Sequence, residues 1–490
     1  MTFRLPRLHL PALSTLRVEL LAGLVVALAL IPEAISFSII AGVDPRIGLF
    51  ASFTMAVTIA IVGGRPAMIS AATGAMALVV VGLVEQHGVE YLLAATILAG
   101  LIQIVLGLLG VPKLMRFVPR SVMTGFVNAL AILIFLAQIP HLTKGGALGY
   151  ALVAAGLALI FIVPRLTTAI PAPLVAIVVL TAATVLGAID VPTVGDEGEL
   201  PDALPILGIP AVPFSVETLV IVAPYSLTLA VVGLLESLMT AKLVDDITET
   251  RSDKEREARG QGIANVVTGL FGGMAGCAMI GQTMINVKAS GARTRISTFS
   301  AGAFLLILVV GLGGIVAVIP MAALVAVMIL VSIATFDWHS VAPATLRRLP
   351  AGETLIMLVT VAGTVATHNL AIGVGLGVLT AMAVFARRVA HLVDVERVVD
   401  PDGTTSIYSV TGELFFASDQ EFIDSFDFAG DPPNVIIDLS RAHVWDASAV
   451  AALDAIETHY ARHGVEVEIT GLNRRSEALR NTLSGQLAAH

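Results

Sequence analysis

The chain is 490 residues long, 56% hydrophobic and only 13% charged, with a net charge of −9 at pH 7. Soluble domains carry about a quarter of their residues as charged side chains, so this composition excludes an ordinary soluble enzyme. The acidic balance excludes a nucleic-acid surface. A single cysteine, Cys277, excludes an intrachain disulfide, and the histidines lack metal-ligand spacing, so no metal or other cofactor is indicated.

Residues 1–18 carry Arg4, Arg7 and Arg17 ahead of the first apolar run. That run exceeds the roughly 7–15 residues of a signal-peptide core and lacks a small-residue cleavage site, so it reads as a retained span. Apolar runs then recur to residue 391, and a crossing needs roughly 20 such residues unless neighbours shield a shorter one. In chain order the predicted spans are 19–41, 47–62, 69–84, 91–111, 119–138, 148–163, 172–188, 216–240, 258–275, 277–290, 296–316, 320–336, 352–368 and 371–391. The chain is thus a polytopic α-helical membrane protein of 14 transmembrane segments, filling residues 19–393. Lys242, Arg251, Lys254, Arg256 and Arg259 occupy 242–259, and Arg387 and Arg388 close the last span. Residues 189–202 hold five acids and no lysine or arginine. Positive loops face the cytoplasm, so both termini are cytoplasmic and the protein is a multi-pass resident of the cell (inner) membrane. Seven spans per half is an odd number, which turns the second half upside down. Inverted repeats at about 19–188 and 216–391 follow, supported by the likeness of LAGLVVALALIPEA (21–34) to LTLAVVGLLESLMTA (227–241). The charged run 245–259 reads as a solvated loop. Asn128, Gln138, Thr367, His368 and Asn369 read as inter-helix hydrogen bonds.

Beyond residue 394 the pattern turns soluble. Residues 435–439 read as a buried strand, 447–463 as a helix with Ala449, Val450, Leu453 and Ile456 on one face, and 465–469 as another strand. A small cytoplasmic α/β domain over 394–490 is expected.

The third and tenth spans are short, follow glycine-containing breaks (Gly63-Gly64-Arg65-Pro66 and Gly272-Gly273), and occupy corresponding places in the two halves. Paired broken segments are the best sequence pointer to a transporter site at the bilayer midplane. Amides at a helix start are unpaired and carry about half a positive charge, so two such starts facing one hollow suit a small anion without any lysine. The candidate liners are Ser70, Thr73 and Gly74 in the third span, and Ala278, Gly281 and Gln282 in the tenth. The competing reading is that these small residues serve close helix packing. Glu33, after Pro32 in the first span, and Glu236, within the eighth, are intramembrane acids, which by default carry function. Proton coupling through at least one of them is the expectation.

Several segments resemble the prokaryotic SulP (sulfate permease) anion transporters: LAGLVVALALIPEAISFSIIAGVDPRIGLF (21–50), ISAATGAMA (69–77), PRSVMTGFVNALAILI (119–134), LLESLMTAKLVDDITETRSDKEREARGQGIANVVTGLFGG (234–273) and IPMAALVAVMILVSIATFDW (319–338). The tail segment VIIDLSRAHVWDASAVAAL (435–453) resembles the family's STAS domain. The resemblance implies 7+7 inverted repeats in which a core domain (spans 1–4 and 8–11) moves against a gate domain (5–7 and 12–14), in a homodimer. It implies a substrate between the third and tenth helix starts, flanked by the first and eighth spans, which brings Glu33 and Phe37 into the site. It also implies that Ser448, in Asp446-Ala447-Ser448, matches a serine phosphorylated in stand-alone relatives; an ordinary first-turn serine is the other reading. This chain departs from the family's pattern at three places: Glu33 where glutamine is common, Ala71-Ala72-Thr73 where Gly-Pro-Thr is common, and Gly281-Gln282 where Ser-Arg is common. Two acids without a fixed cation argue for a proton-coupled symporter of a carboxylate or dicarboxylate such as fumarate, or of bicarbonate. Exchange or sodium-coupled uptake of sulfate, bicarbonate or chloride is the alternative. A channel, or a membrane protein that signals to a cytoplasmic partner through its STAS domain, ranks below both.

Overall fold

The computed structural model describes residues 13–113, 118–144, 146–166, 172–390 and 393–485. Most of the expected N-terminal segment 1–18, and residues 486–490, lie outside these. The first repeat contains α1 (Leu13–Ile40), α2 (Pro45–Val62), β1 (Ser70–Ala72), α3 (Gly74–His87), α4 (Val89–Leu108), α5 (Arg120–Lys144), α6 (Gly146–Leu166) and α7 (Ala172–Leu186). The second contains α8 (Val216–Thr248), α9 (Lys254–Leu270), β2 (Gly276–Ala278), α10 (Ile280–Met284), α11 (Arg295–Ala317), α12 (Met321–Thr335), the short α13 (Pro343–Arg348), α14 (Ala351–Thr367) and α15 (Leu370–Ala390). Among the described residues, eight helices are long and apolar enough to cross a membrane, and α3, α7, α12 and α14 are shorter apolar helices.

The packing repeats under exchange of the halves. Where α1 packs on α11, α8 packs on α4; where α2 packs on α11, α9 packs on α4. Likewise α1 with α2 is matched by α8 with α9, and α6 with α12 by α14 with α5. Close approach is enforced by small residues. A Cβ on Gly100 of α4 would lie 2.5 Å from the Gly262 carbonyl oxygen of α9, and the reverse distance is also 2.5 Å. Such packing replaces the hydrophobic drive that helices lack in lipid.

Two expectations change here. The third and tenth segments do not begin as helices. Ser70–Ala72 and Gly276–Ala278 are extended and pair antiparallel, with Ala71 opposite Cys277. The pairing and neighbouring side chains together satisfy peptide groups that lipid could not. The run 245–259 is not a solvated loop. Helix α8 continues to Thr248 and α9 starts at Lys254, while Asp245 holds both Arg65 (3.0 Å) and Lys254 (2.8 Å). Glu257 is fully buried, accepting from the amides of Gly64 (2.7 Å) and Arg65 (2.9 Å). Among the weaker polar signals, Asn128 bridges α5 to the segment after α12 through Ser340 and Asp337. Gln138 bonds within its own helix, and Thr367 and Asn369 bond locally where α14 ends.

By its internal contacts the chain separates after Val378. The C-terminal unit contains β3 (Asp394–Val399), β4 (Thr405–Leu414), α16 (Asp419–Asp424), β5 (Asn434–Val444), α17 (Ala447–Arg462), β6 (Glu466–Thr470) and α18 (Arg474–Leu483). Its sheet runs β3-β4-β5-β6, antiparallel at the first pair and parallel after it. Helix α17 buries Ala449, Val450, Leu453 and Ile456, the face its sequence assigns. At one end of this core the Asp431 side chain is inaccessible to solvent and accepts from the Tyr408 hydroxyl (2.6 Å), the Ser406 hydroxyl (2.9 Å), Arg397 Nε (2.8 Å) and the Tyr460 hydroxyl. Burial opposes its ionisation, but these donors outweigh burial and hold the carboxyl below its ordinary range. Burial and the same carboxylate raise both phenols.

Candidate functional site

Thr73 follows β1 and caps α3, its hydroxyl accepting from Met76 N at 3.4 Å. This leaves the amides of Gly74 and Ala75 without intrahelical partners. Across the ribbon, β2 leads through Met279 into α10, which loosens into a π turn at Ile285–Ala289. Between these two starts lies a cavity of about 360 Å³. One wall carries its polar groups, Glu33 of α1, Thr73 and Gly74, Glu236 of α8, and Gly281 and Gln282 of α10, with the Phe37 ring of α1 beside them. The facing wall is largely apolar, with Phe126, Leu130 and Ile134 of α5 and Val327 and Val331 of α12.

Each acid is held by the second broken segment. Gln282 Nε2 donates to Glu33 Oε1 at 2.8 Å. The Cys277 thiol donates to Glu236 Oε2 at 3.0 Å and lies 3.2 Å from the Thr73 hydroxyl. Thus Thr73, Cys277 and Glu236 form one chain from the cap of α3, across the ribbon, to α8. A Cβ on Gly281 would meet no heavy atom within 4 Å, so its backbone is open to whatever occupies the hollow. Among the described residues no lysine, arginine or histidine lines this cavity.

Seven of the nine predicted membrane site residues, Glu33, Phe37, Thr73, Gly74, Gly281, Gln282 and Glu236, are brought together around the hollow. Ser70 and Ala278 are not, which corrects their expected place as liners. They sit opposite each other in the ribbon behind it, where the Ser70 hydroxyl accepts from Gln261 Nε2 (2.7 Å) and the Ala278 amide donates to Ser237 Oγ (3.0 Å). Along an extended strand successive side chains alternate between faces, and the Ala278 amide is already taken by α8. In the C-terminal unit Ser448 stands in the first turn of α17. The cap there is Asp446, which accepts from Ala449 N (3.0 Å) and Phe416 N (2.8 Å).

The supports of the ribbon lay unnoticed in the sequence. Asn265 of α9 holds Gly276 at both ends: Gly276 N donates to Oδ1 at 2.8 Å, and Nδ2 donates to Gly276 O at 3.0 Å. Nδ2 also donates to Gln103 Oε1 of α4 at 2.9 Å. The signal was present: Glu257, Gln261 and Asn265 recur every four residues across the start of the predicted span 258–275, which puts three polar groups on one helix face.

Comparison with known proteins bears on this geometry. The sulfate permease family profile matches residues 16–149 and 150–360, and the STAS domain profile matches 396–483. "Putative sulfate transporter YbaR" of Bacillus subtilis (strain 168) is 54% identical over 464 residues, covering 95% of this chain and 96% of the relative. The solved transmembrane domain of a cyanobacterium bicarbonate transporter, BicA, is 26% identical with a TM-score of 0.64, covering 76% of this chain and 98% of that one. The murine Slc26a9 anion transporter, solved in the inward-facing state, is 16% identical with a TM-score of 0.81 over 96% of this chain and 88% of its own. The last likeness concerns the fold.

Proposed function

Because the chain belongs to the sulfate permease family, we propose that it is a secondary active transporter that carries a small anion through the bilayer together with a proton. The observation that carries this reading is the cavity at the starts of α3 and α10, which offers amide donors and two carboxylates and, among the described residues, no cation. An anion entering beside Glu33 and Glu236 meets repulsion that a bound proton removes, so the two solutes bind best together. The glycine and alanine residues at the site let an anion approach the backbone, where the partial charge of the helix starts compensates its own.

In this reading a carboxylate or dicarboxylate such as fumarate, or bicarbonate, is the substrate. The carrier works by alternating access as the α1–α4 and α8–α11 body moves against α5–α7 and α12–α15. It acts as a homodimer in the cell membrane with both termini cytoplasmic. A second reading draws on the names of the relatives: sulfate or bicarbonate could be taken up by exchange or with sodium. Uptake of labelled fumarate, bicarbonate, sulfate and chloride into proteoliposomes, with and without an inward proton gradient, tests both. Stimulation by external acid, without sodium, is the expected result. Uptake that ignores the proton gradient but needs sodium or an internal anion favours the second reading.

A further inference from the structure

Gln282 is only 2% exposed and lines the cavity, yet one end of its amide is unused. Nε2 donates to Glu33, while Oε1 is buried and accepts nothing. A buried carbonyl without a donor is unfavourable, and here a neighbour can supply one. Ionised, Glu33 only accepts; protonated, it gains an O–H to donate. The two ends of a glutamine amide occupy nearly the same space, so half a turn exchanges donor for acceptor without displacing other atoms.

Little else competes for this proton. The elements packed on α1 include α2, α3, α7, α10, the π turn, α11 and α12; among the described residues none contributes an ionisable side chain to the cavity lining, where Glu236 of α8 is the other titratable group, and Lys288 of the π turn is exposed outside that lining. Cys277, behind that lining, is engaged with Glu236. Arg46 of α2 pairs with Asp44 and Glu199, and Arg295 of α11 donates to the carbonyls of Ile59, Ala60 and Gly63. Within α1 itself, Glu19 accepts from the amides of Arg293, Thr294 and Ser297.

Resting on the proton-symport reading above, we propose that Gln282 is the positioning residue that turns a proton on Glu33 into an anion-binding donor. A proton from water adds to a Glu33 carboxylate oxygen, and no other covalent bond forms or breaks. The new O–H donates to Gln282 Oε1, the bond from Nε2 is given up, and the side chain, no longer held through Nε2, turns its amide out of the closed place that Oε1 occupied so that the NH2 group reaches the hollow. The anion is then held by this group and by the amides at the start of α3. With Glu33 ionised, the same corner offers the anion a negative charge and no amide donor, so neither solute is carried alone.

Uptake by the full chain in proteoliposomes, with radiolabelled sulfate and radiolabelled fumarate as probes, tests the switch at about pH 5.5 and about pH 7.5. For the wild type, the half-saturation concentration of the carried probe should rise roughly tenfold or more from the acidic to the alkaline condition. Gln282→Met keeps the length but loses both amide groups; its half-saturation should be roughly tenfold weaker at the acidic pH and should rise less than the wild type's between the two, by the carboxylate repulsion alone. Glu33→Gln, which can donate to Gln282 permanently, should show the wild-type acidic value at both pH values and move no proton with the anion. A Gln282→Met chain that binds more weakly but keeps the full pH dependence overturns the switch and leaves proton symport standing. A wild type whose uptake ignores pH overturns the symport reading and the switch together. Should Gln282→Met fail to fold, infrared difference spectra of the wild type decide. Adding sulfate or fumarate at the alkaline pH should raise a protonated-carboxyl band that Glu33→Gln lacks; binding without that band overturns the switch.

Discussion

A Cβ built on Gly74 would lie 3.0 Å from Phe37 Cε1 and 3.1 Å from Ile134 Cδ1, whereas one built on Gly281 finds open space. Two glycines at matching helix starts therefore respond differently to the same change. Gly74→Ala should cost about 1 kcal/mol as the two side chains yield, read as a lowered Tm of the detergent-solubilised chain. Gly281→Leu should leave stability within about 0.5 kcal/mol of the wild type, read from the same Tm, and abolish uptake in proteoliposomes, because its side chain fills the hollow instead of the core. The acids, Thr73, Gly74, Gly281 and Gln282 were legible because a carboxylate inside an apolar span, or a glycine at its break, is conspicuous against its neighbours. Cys277 was not: as a lone cysteine it was read only for what it excludes. Its link between Thr73 and Glu236 depends on two strands meeting across about two hundred residues of sequence, a separation no local pattern encodes.

At the level of elements, the third and tenth segments read as interrupted helices because glycine breaks and small residues are common to a helix start and to a short buried strand. What selects the strand is the partner, and what holds the partner is α9. Asn265→Leu would leave both peptide groups of Gly276 without their present partner; at about 1–3 kcal/mol for each orphaned group, a loss of about 2–4 kcal/mol is expected. Asn265→Asp keeps the acceptor for Gly276 N and loses the donor to Gly276 O, so it should fall between the wild type and Asn265→Leu. Thermal unfolding of the purified full chain checks the order. The same dependence explains why α9 looked like a loop at its start. Its charges face specific partners, Glu257 on the amides before β1 and Lys254 on Asp245, and hydropathy counts such residues as solvated whether or not they are.

For the whole molecule, the repeat architecture was legible from parity and loop charge, and the C-terminal α/β unit from one helix and two strands. Strands β3 and β4 of that unit were missed, since β3 is exposed along nearly its whole length and shows no alternation. Asp431 ties that unit's sheet to α17 and is held ionised by its donors. Its carboxyl is more acidic folded than unfolded. The stability it adds is therefore fully present above roughly pH 4 and is lost as the pH falls through the lower, folded value. Hydrogen exchange of Thr405–Leu414 and Asn434–Val444 in the full chain, corrected for intrinsic rates, should hold steady from neutrality to about pH 5 and rise below about pH 4. Asp431→Asn should raise it at neutral pH, by the equivalent of about 2–3 kcal/mol, and remove the acid dependence. The hydrogen bonds between Ser70–Ala72 and Gly276–Ala278 also impose an order on biogenesis. The earlier strand leaves the ribosome about two hundred residues ahead of its mate, which at common elongation rates is a wait of roughly 10–40 s. During that interval its peptide groups must stay near water or the translocon, because lipid offers them nothing. The first repeat therefore cannot finish folding co-translationally by itself, and a nascent chain released before residue 276 should be a substrate for membrane quality control.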